Sequence, residues 1–500
     1  MLPETPPVAS LDTPQPAPKS RWAALYLLCS GMLMIVLDAT IVNVALPAIQ
    51  DDLDFSPSGL AWVVNAYLIA FGGLLLLSGR LGDLIGRRTI FLAGLGVFTA
   101  ASLLCGLAQN QEMLVIARFL QGAGGALTSA VILGMIVSMF PEPREQAKAI
   151  GVYAFVASAG GAVGLLAGGV LTEALNWHWI FFVNIPIGIV VAVLALRLLD
   201  PDAGLGLRAG TDVLGALLIT SALMLAVFTI VKPAAEYGWT DGRTLGLGAV
   251  ALALLAGFVI REATAETRLM PLRIFASRNV SGANVIQVFS VAGMFGVFFM
   301  GSLYLERVLH YGPLQIGLAF LPVTILMGTL SVRYSERLVT RFGARTTLIP
   351  GLVLILAALL WFTQAPADGN YWVHVLPVMA GLGIGAGLVF PALMNLAMSG
   401  VAPHEAGLAS GLVNTTAQVG GALGLAVLAT LSADRTQSLA DRPLPEALTA
   451  GFHVAFWVAA GLVAVAIVVA VTVLKPVRRA DLDAEAAELE AELQVAPAKA

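Results

Sequence analysis

The sequence predicts an all-α membrane protein: two related six-helix bundles with an extra two-helix hairpin inserted between them. Three observations carry this prediction. The 500 residues are 58% hydrophobic and only 12% charged, whereas a soluble domain is about 45–50% apolar. Fourteen apolar segments of membrane-spanning length follow one another along the chain. Parts of the first half also recur in the second half at a nearly constant spacing.

The fourteen predicted spans have about the 20 residues that a helix needs to cross the hydrocarbon core of a bilayer. They cover residues 22–46, 59–79, 89–109, 113–136, 150–173, 180–199, 212–232, 244–262, 280–304, 314–333, 346–364, 372–398, 408–432 and 450–474. A proline-rich tail over residues 1–21 is expected to be disordered. Residues 475–500 are expected to form an acidic tail.

An internal repeat predicts how these spans are arranged. The segment "PREQAKAIGVYAFVASAGGAVGL" (143–165) aligns with "PHEAGLASGLVNTTAQVGGALGL" (403–425), and "GRRTIFLAGL" (86–95) aligns with "GARTTLIPGL" (343–352). The repeat pairs span 3 with span 11 and span 5 with span 13. The expected bundles therefore cover 22–199 and 280–474, and spans 7 and 8 with their linkers occupy 200–279. Transporters often rock two such repeats around a site at the membrane midplane.

The distribution of basic residues predicts the orientation, because lysine and arginine are enriched on cytoplasmic loops. With the amino terminus inside, only five basic residues fall on the outer side: Lys232, Arg243, Arg307, Arg435 and Arg442. An even number of spans then places the carboxyl tail inside as well. We expect a multi-pass protein of the cytoplasmic (inner) membrane with both termini in the cytoplasm.

Two charged residues lie well inside predicted spans, Asp38 in span 1 and Arg118 in span 4. A charge near the bilayer centre costs about 2.5–3.5 kcal/mol on insertion scales, so it persists mainly where it faces protein or water. Val378, at the repeat position of Arg118, is apolar. Burial disfavours a carboxylate and a nearby arginine favours it. An Asp38 whose distance from Arg118 changes as the bundles rock would bind and release protons; the open alternative is a static ion pair that only organises the bundle.

The loop between spans 2 and 3 reads "GRLGDLIGRR" (79–88), in which Gly79 and Gly86 flank Asp83 and precede Arg87 and Arg88. This pattern resembles the cytoplasmic-loop signature of the major facilitator superfamily. In that family the aspartate pairs with a loop arginine and with the amino end of a helix in the other bundle, where the helix dipole favours negative charge. The resemblance implies the major facilitator fold, with a cytoplasmic latch between Asp83, Arg87 and span 13.

Two further motifs resemble the same superfamily. "RFLQGAGGA" (118–126) is similar to its motif in span 4, and this resemblance assigns Arg118 to proton coupling. The glycines of span 5 have the spacing of its antiporter motif, with Leu165 where the family has proline: Gly151, Gly160, Gly164, Gly168 and Gly169. Taken alone, such glycines indicate only close helix packing.

Fourteen spans together with "LDATIVNVALP" (37–47) and "WHWIFFVNIPIG" (177–188) resemble the fourteen-spanner drug:proton antiporter branch. This resemblance implies multidrug efflux, antibiotic resistance and no cofactor beyond the proton gradient. No ATP is expected, because a phosphate-binding loop needs Gly-Lys and no lysine follows a glycine. The five histidines are scattered singly, so neither a metal site nor a catalytic site is expected.

The expected partners are protons, membrane lipids and small lipophilic or monocationic compounds, but no nucleic acid. A substrate cavity needs mostly apolar walls with a few polar groups, and the polar candidates inside spans are Asn43, Asn65, Gln121, Tyr153, Asn284, Gln287, Asn395, Asn414 and Gln418. Each of them is also explained as a hydrogen-bonding contact between helices. Two functions remain as alternatives: proton-coupled transport of one specific metabolite or lipid on the same fold, and a membrane-embedded sensor or enzyme.

Overall fold

The computed structural model describes residues 18–56, 59–140, 142–202, 204, 206, 212–265, 268, 272–399 and 406–475. Within these residues all regular secondary structure is helical. The helices of the first half are α1 (Pro18–Asp52), α2 (Ala61–Ile85), α3 (Arg87–Gly106), α4 (Gln111–Met139), α5 (Pro143–Ala174), α6 (Trp179–Phe182) and α7 (Asn184–Leu198). The predicted tail over residues 1–21 lies outside this part of the chain except for its last four residues.

The inserted hairpin and the second half follow without a strand in the described residues. The hairpin consists of α8 (Val213–Val231), α9 (Pro233–Tyr237) and α10 (Gly242–Thr264). The second half consists of α11 (Arg278–Arg307), α12 (Pro313–Thr329), α13 (Ser335–Phe342), α14 (Ala344–Phe362), α15 (Leu376–Met398), α16 (Ala406–Gln437) and α17 (Leu444–Thr472). Short π-helical turns, Leu330–Tyr334 and Tyr371–Val375, precede α13 and α15.

Each predicted span falls on one helix or on consecutive helical segments, which confirms the all-α prediction. The predicted number of spans, fourteen, is confirmed only in part. Eleven helices of the described chain are long and apolar enough to cross a membrane, or twelve if the bent α2 is one span. The other two predicted spans contain shorter apolar stretches, Val163–Ala174 within α5 and Pro313–Thr329.

The second half repeats the helix packing of the first half. Helix α1 packs against α5 as α11 packs against α16, and α3 packs against α4 as α14 packs against α15. The backbone repeats as well: Gly86 and Gly343 each separate two helices, with φ of +110° and +87°. Such positive φ angles favour glycine. The internal repeat therefore corresponds to a structural repeat.

The two halves meet along two helix pairs, α2 with α16 and α5 with α12. Close backbone approach is greatest between α5 and α12, because a Cβ atom at Gly317 would lie 2.5 Å from the backbone oxygen of Leu165. The inserted hairpin packs through α8 on both α2 and α16. Its helices are joined at one end by an ion pair between Arg261 and the buried Asp212, with a nitrogen–oxygen distance of 3.1 Å.

Candidate functional site

Asp38 and Arg118 form a completely buried ion pair in the first half. Arg118 Nη1 lies 2.6 Å from Asp38 Oδ2, and the two side chains are 1% and 0% exposed. Helix α1 supplies the acid and α4 supplies the base, so the pair joins two helices that are 80 residues apart in sequence. Removing one partner of such a pair leaves an uncompensated charge, which is strongly destabilising.

Gln121, one turn after Arg118 on α4, holds both members of the pair. Its Oε1 accepts a hydrogen bond from Arg118 Nη1 at 2.6 Å, and its Nε2 donates to Asp38 Oδ1 at 2.7 Å and to Ser102 Oγ at 2.8 Å. Cys105 Sγ lies 3.6 Å from the same Oε1. Gln121 was a cavity candidate by sequence, but it is fully buried and its amide belongs to the ion-pair network.

Aromatic rings and backbone atoms fix the guanidinium of Arg118. Its Nε donates to the backbone oxygen of Val63 at 2.9 Å. Its central carbon lies 4.4 Å from the ring centre of Tyr67 and 5.7 Å from that of Phe181, an arrangement that stabilises a cation over an aromatic face. The close approach of α4 to α2 requires Gly122, where a Cβ atom would lie 2.3 Å from the backbone oxygen of Tyr67.

Asn184 is a third partner of Asp38 that sequence reasoning missed. Its Nδ2 donates to Asp38 Oδ1 at 3.0 Å, and its side chain is fully buried. It is the first residue of α7, directly after Val183, where the chain passes from α6 to α7. Asn184 lies in the quoted stretch "WHWIFFVNIPIG", but 146 residues separate it from Asp38, and nothing in that stretch indicates its partner.

The carboxylate of Asp38 therefore accepts three hydrogen bonds, two at Oδ1 and one at Oδ2. All donors come from residues that water does not reach in this conformation. The acid and its three donors lie on three different helices, α1, α4 and α7, so a change in the charge of Asp38 would act on the packing of these helices. Among the described residues, no three histidine, cysteine or acidic side chains are placed so that they could hold a metal ion.

The predicted latch loop forms its internal ion pair. Arg87 Nη2 lies 3.1 Å from Asp83 Oδ1, and Arg87 Nη1 donates to the backbone oxygen of Gly134 at 3.0 Å. The backbone nitrogens of Arg87 and Arg88 donate to the carboxylate of Asp202 at 2.5 and 3.1 Å. Asp202, which sequence reasoning missed, thus caps the amino end of α3. Residues 400–405, just before α16, lie outside the described part, so the pairing of Asp83 with that helix stays a prediction.

The glycines of the latch differ in what surrounds them. Gly86 adopts a positive φ, and a Cβ atom there would lie 2.6 Å from the backbone oxygen of Asp202. Around Gly79 nothing lies within 4 Å of such an atom. Arg88 extends along α7 and donates from Nη2 to the backbone oxygen of Leu196 at 2.7 Å. The loop is therefore anchored at the carboxyl-terminal end of α7, the helix that begins at Asn184.

The glycine stripe of α5 lies against α1 next to Asp38. Cβ atoms at Gly164 and Gly168 would lie 2.9 and 2.8 Å from the backbone oxygens of Leu37 and Ile41, and Gly160 faces Leu33 and Val36. Gly169 instead faces α12 of the other half. Gly151 also lies in α5, which continues unbroken past Leu165 to Ala174. The stripe brings α5 close to the helix that carries the acid.

At the predicted outer end the two halves are joined by polar contacts. Arg307, the last residue of α11, pairs with Asp51 near the end of α1. Glu173 Oε2 accepts a hydrogen bond from the backbone nitrogen of Leu314, in the first turn of α12, at 3.1 Å. Sequence reasoning missed both contacts. They hold the halves together at the end of the molecule opposite the latch loop.

The remaining cavity candidates have varied surroundings. Asn43 donates to backbone oxygens of its own helix, and Asn284 bonds to Thr416 on α16 and to Val280. Asn65 is fully buried, and neither atom of its amide has a hydrogen-bond partner; the Oε1 atoms of Gln287 and Gln418 also have none. Tyr153 is half-buried, and Asn395 and Asn414 are exposed.

A cavity of about 410 Å³ lies at the predicted outer end, between the halves. Its lining includes Asp51, Phe55, Phe299, Arg307 and Phe452, and none of the nine sequence-predicted cavity residues. The structure therefore does not unite those nine residues around this space. Five of them are instead buried in the helix packing: Asn43, Asn65, Gln121, Asn284 and Gln287.

Comparison with known proteins adds three findings. The sequence pattern of the Major Facilitator Superfamily matches residues 28–425. The Puromycin resistance protein of Streptomyces alboniger is 38% identical over 501 residues, with 99% of this chain and 98% of that protein covered. The Cephamycin export protein of Amycolatopsis lactamdurans is 39% identical over 415 residues, with 83% and 85% covered.

A solved structure shares the fold at low sequence identity. It is the crystal structure of a bacterial homolog to the human lysosomal transporter Spinster, in an inward-facing and unoccupied conformation, with a TM-score of 0.67 and 16% identity. The match covers 93% of this chain and 100% of that chain.

Proposed function

The chain belongs to the Major Facilitator Superfamily, and from that premise we propose that it exports small lipophilic compounds in exchange for protons. It is a transporter and not an enzyme, as its family is. The observation that carries the proposed coupling is the buried Asp38–Arg118 pair. The described part of the second half has no such pair, since the buried, apolar Val378 stands at the repeat position of Arg118. A buried acid with a movable counter-ion is the part that proton-coupled export requires.

The direction of transport and the cargo class are supported by the relatives. Two proteins that align with most of this chain are described as a resistance protein for puromycin and an export protein for cephamycin. Both compounds named there are antibiotics of small-molecule size. We therefore propose antibiotic efflux, with a neutral or monocationic lipophilic compound as the preferred cargo, because the described spans contain few acids.

The driving force is sufficient for such export. One proton that moves inward down about 100 mV gains about 2.3 kcal/mol, and each pH unit adds about 1.36 kcal/mol. A neutral cargo needs about 1.4 kcal/mol for each tenfold gradient. One proton per cargo therefore supports a gradient of one to two decades.

We further propose fourteen spans, with both termini in the cytoplasm and the protein in the cytoplasmic membrane. Helices α5 and α12 are the two additional spans. Helix α5 has 32 residues, and α12 continues through the π-helical turn into α13, so both exceed the about 20 residues that crossing requires. Membrane lipids then surround the outer faces of both bundles and of the inserted hairpin.

A cycle follows from the contacts at the two ends. With the outer end closed by Asp51–Arg307 and Glu173–Leu314, cargo enters from the cytoplasm. Protonation of Asp38 from outside occurs when those contacts open, and the proton leaves to the cytoplasm after they close again. The latch loop around Asp83 would join the halves in the outward-open stage.

The test is a growth-inhibition panel that includes puromycin and a cephamycin. Cells that express the wild type, Asp38→Asn or Glu112→Gln at equal membrane levels are compared. Glu112→Gln is a matched control, because it also replaces a carboxylate by an amide but lies exposed in the first turn of α4. We expect protection by the wild type and Glu112→Gln, and none by Asp38→Asn. Equal sensitivity of all strains to every compound would remove drug export.

A further inference from the structure

Asn184 differs from the other partners of Asp38, because its amide still has an unused hydrogen-bonding atom. Its Nδ2 donates to Asp38, whereas its Oδ1 is buried and has no partner among the described residues. In Gln121 every polar atom is engaged, since Oε1 accepts from Arg118 and Nε2 donates to Asp38 and Ser102. A buried acceptor without a partner is unfavourable and rare in folded proteins. This oxygen is therefore free to accept a hydrogen bond from a donor that forms beside it in another state.

Protonation of Asp38 supplies such a donor. A carboxylate only accepts hydrogen bonds, whereas a protonated carboxyl group has one O–H donor. When a proton adds to Oδ1, that oxygen gains the O–H bond and Asp38 loses its negative charge. Arg118 is a donor only, and the amide of Gln121 is held in its orientation by Arg118 and Ser102. Among the three partners, only Asn184 has an acceptor ready for the new O–H.

We propose that Asn184 is a positioning residue for proton coupling: it donates from Nδ2 to ionised Asp38 and, after its amide turns over, accepts through Oδ1 from protonated Asp38. This proposal rests on the proposed function, in which Asp38 carries the proton. The exchange of donor for acceptor lets one residue stay bonded to Asp38 while Arg118 is released. Both charge states of the buried acid are then satisfied.

The segment that carries Asn184 also connects Asp38 to the outer end of α1. The segment 177–184, which contains α6, packs on α1. Asn184 bonds to Asp38, and Trp177 Nε1 donates to Asp52 Oδ2 at 2.9 Å. Asp51, beside Asp52, pairs with Arg307 of the other half. A shift of Asn184 therefore acts on a segment that also contacts the outer end of α1, next to the contact between the halves.

The other charged and titratable groups around Asp38 are few. Arg118 lies on α4, Tyr67 on α2 and Cys105 on α3. Helix α5 presents the glycine stripe there, and its Tyr153 lies near Cys29 instead. Helix α12 has no titratable residue, and those of α11 lie at its ends. A pH response of Asp38 is thus governed by Arg118 and by the two amides.

The experiment measures protonation of Asp38 directly, without a cargo. The carbonyl stretch of the protonated carboxyl group is titrated by infrared difference spectroscopy on the full-length protein in lipid nanodiscs, and Asp38→Asn identifies the band. Asn184→Leu matches the side chain in size but has no polar atom. In this variant we expect the pH midpoint of the Asp38 band to rise by about one unit, because the hydrogen bond lost by the charged carboxylate is stronger than the one lost by the neutral acid. The band should also move to higher frequency, because the protonated form loses its acceptor.

Two further variants keep the test decisive. Asn184→Ser retains a group that both donates and accepts, so its midpoint should lie between those of the wild type and Asn184→Leu. Thr128→Val, which removes a buried hydroxyl bonded within its own helix, should leave midpoint and frequency unchanged. An unshifted midpoint and band in both Asn184 variants would overturn the role of Asn184 alone. If Asp38→Asn removes no titrating band, proton coupling through Asp38 fails as well.

Discussion

Arg307 at the end of α11 forms an ion pair with Asp51 near the end of α1, and this pair joins the two halves at the end opposite the latch loop. Arg307 also lies 3.4 Å from its neighbour Glu306. Because Asp51 and Arg307 are both partly exposed to solvent, the pair contributes at most about 1 kcal/mol. A contact of this strength holds a gate closed but lets it open in each transport cycle.

Replacement of Arg307 by glutamine should shift the protein toward the outward-open form. Loss of up to about 1 kcal/mol changes that equilibrium by up to about fivefold. Ser432 lines the outer cavity, and the two native cysteines are buried, so Ser432→Cys reports access through maleimide labelling. We expect faster labelling of Ser432→Cys in Arg307→Gln than in the unmodified background. Arg442→Gln, also at the predicted outer side, is the control, and an equal rate in both variants would argue against the gate.

Glu173 should contribute to the same closure through α12. Its carboxylate accepts from the backbone nitrogen of Leu314 and lies at the positive amino end of that helix, an interaction that contributes about 0.3–1 kcal/mol. Glu173→Ala should therefore speed labelling of Ser432→Cys less than fivefold, and Glu173→Gln, which keeps an acceptor, should have a smaller effect. An effect of Glu173→Gln as large as that of Glu173→Ala would show that the hydrogen bond is unimportant.

Gly122 should tolerate no side chain, because α4 and α2 touch at this point. In Gly122→Ala the added carbon meets the backbone of Tyr67 at 2.3 Å, and overpacking of this kind costs about 1–3 kcal/mol. We expect a lower thermal unfolding temperature in detergent, because the added carbon pushes α4, which carries Arg118, away from α2. Gly96→Ala in α3 has nothing within 4 Å of the new carbon and should be neutral or slightly stabilising. Equal unfolding temperatures for the two variants would contradict the described packing.

Asp202 should stabilise the start of α3. Its carboxylate accepts from two backbone nitrogens of the first turn, and loss of such a cap costs about 1 kcal/mol. In Asp202→Ala we expect amide hydrogen exchange at residues 87–90 to accelerate about fivefold. Asp200→Ala, two residues earlier in the same linker, is the matched control. Unchanged exchange in Asp202→Ala would mean that the cap does not hold this turn.

The sequence predicted the chemistry of the site better than its surroundings. Charges in apolar spans stand out, so Asp38 and Arg118 were identified and the structure brings them together. Asn184 gave no such signal, because an asparagine in a span is equally explained by helix packing, and its partner is distant in sequence. Gln121 was identified as a polar residue inside a span, but the sequence does not tell whether such a residue borders a cavity or a neighbouring helix.

Contacts at the helix ends could not be predicted for a different reason. Asp51, Arg307 and Glu173 lie in polar segments where charges are common, and their partners depend on how the two halves pack. The fourteen spans predicted from length and hydropathy are confirmed only in part, since Pro313–Thr329 is short for a span and is followed by a π-helical turn at Leu330–Tyr334. The internal repeat, in contrast, indicated which helices correspond in the two halves, because homologous halves keep the same packing.

The most direct test of proton coupling is transport by purified protein in proteoliposomes under an imposed pH gradient. The cargo is the compound against which the wild type protects cells most strongly, and its uptake into proteoliposomes acidified inside is measured. We predict that the wild type accumulates this compound above equilibrium, and that Asp38→Asn carries it only to equal concentrations on both sides. Accumulation by Asp38→Asn at the wild-type level would contradict the account.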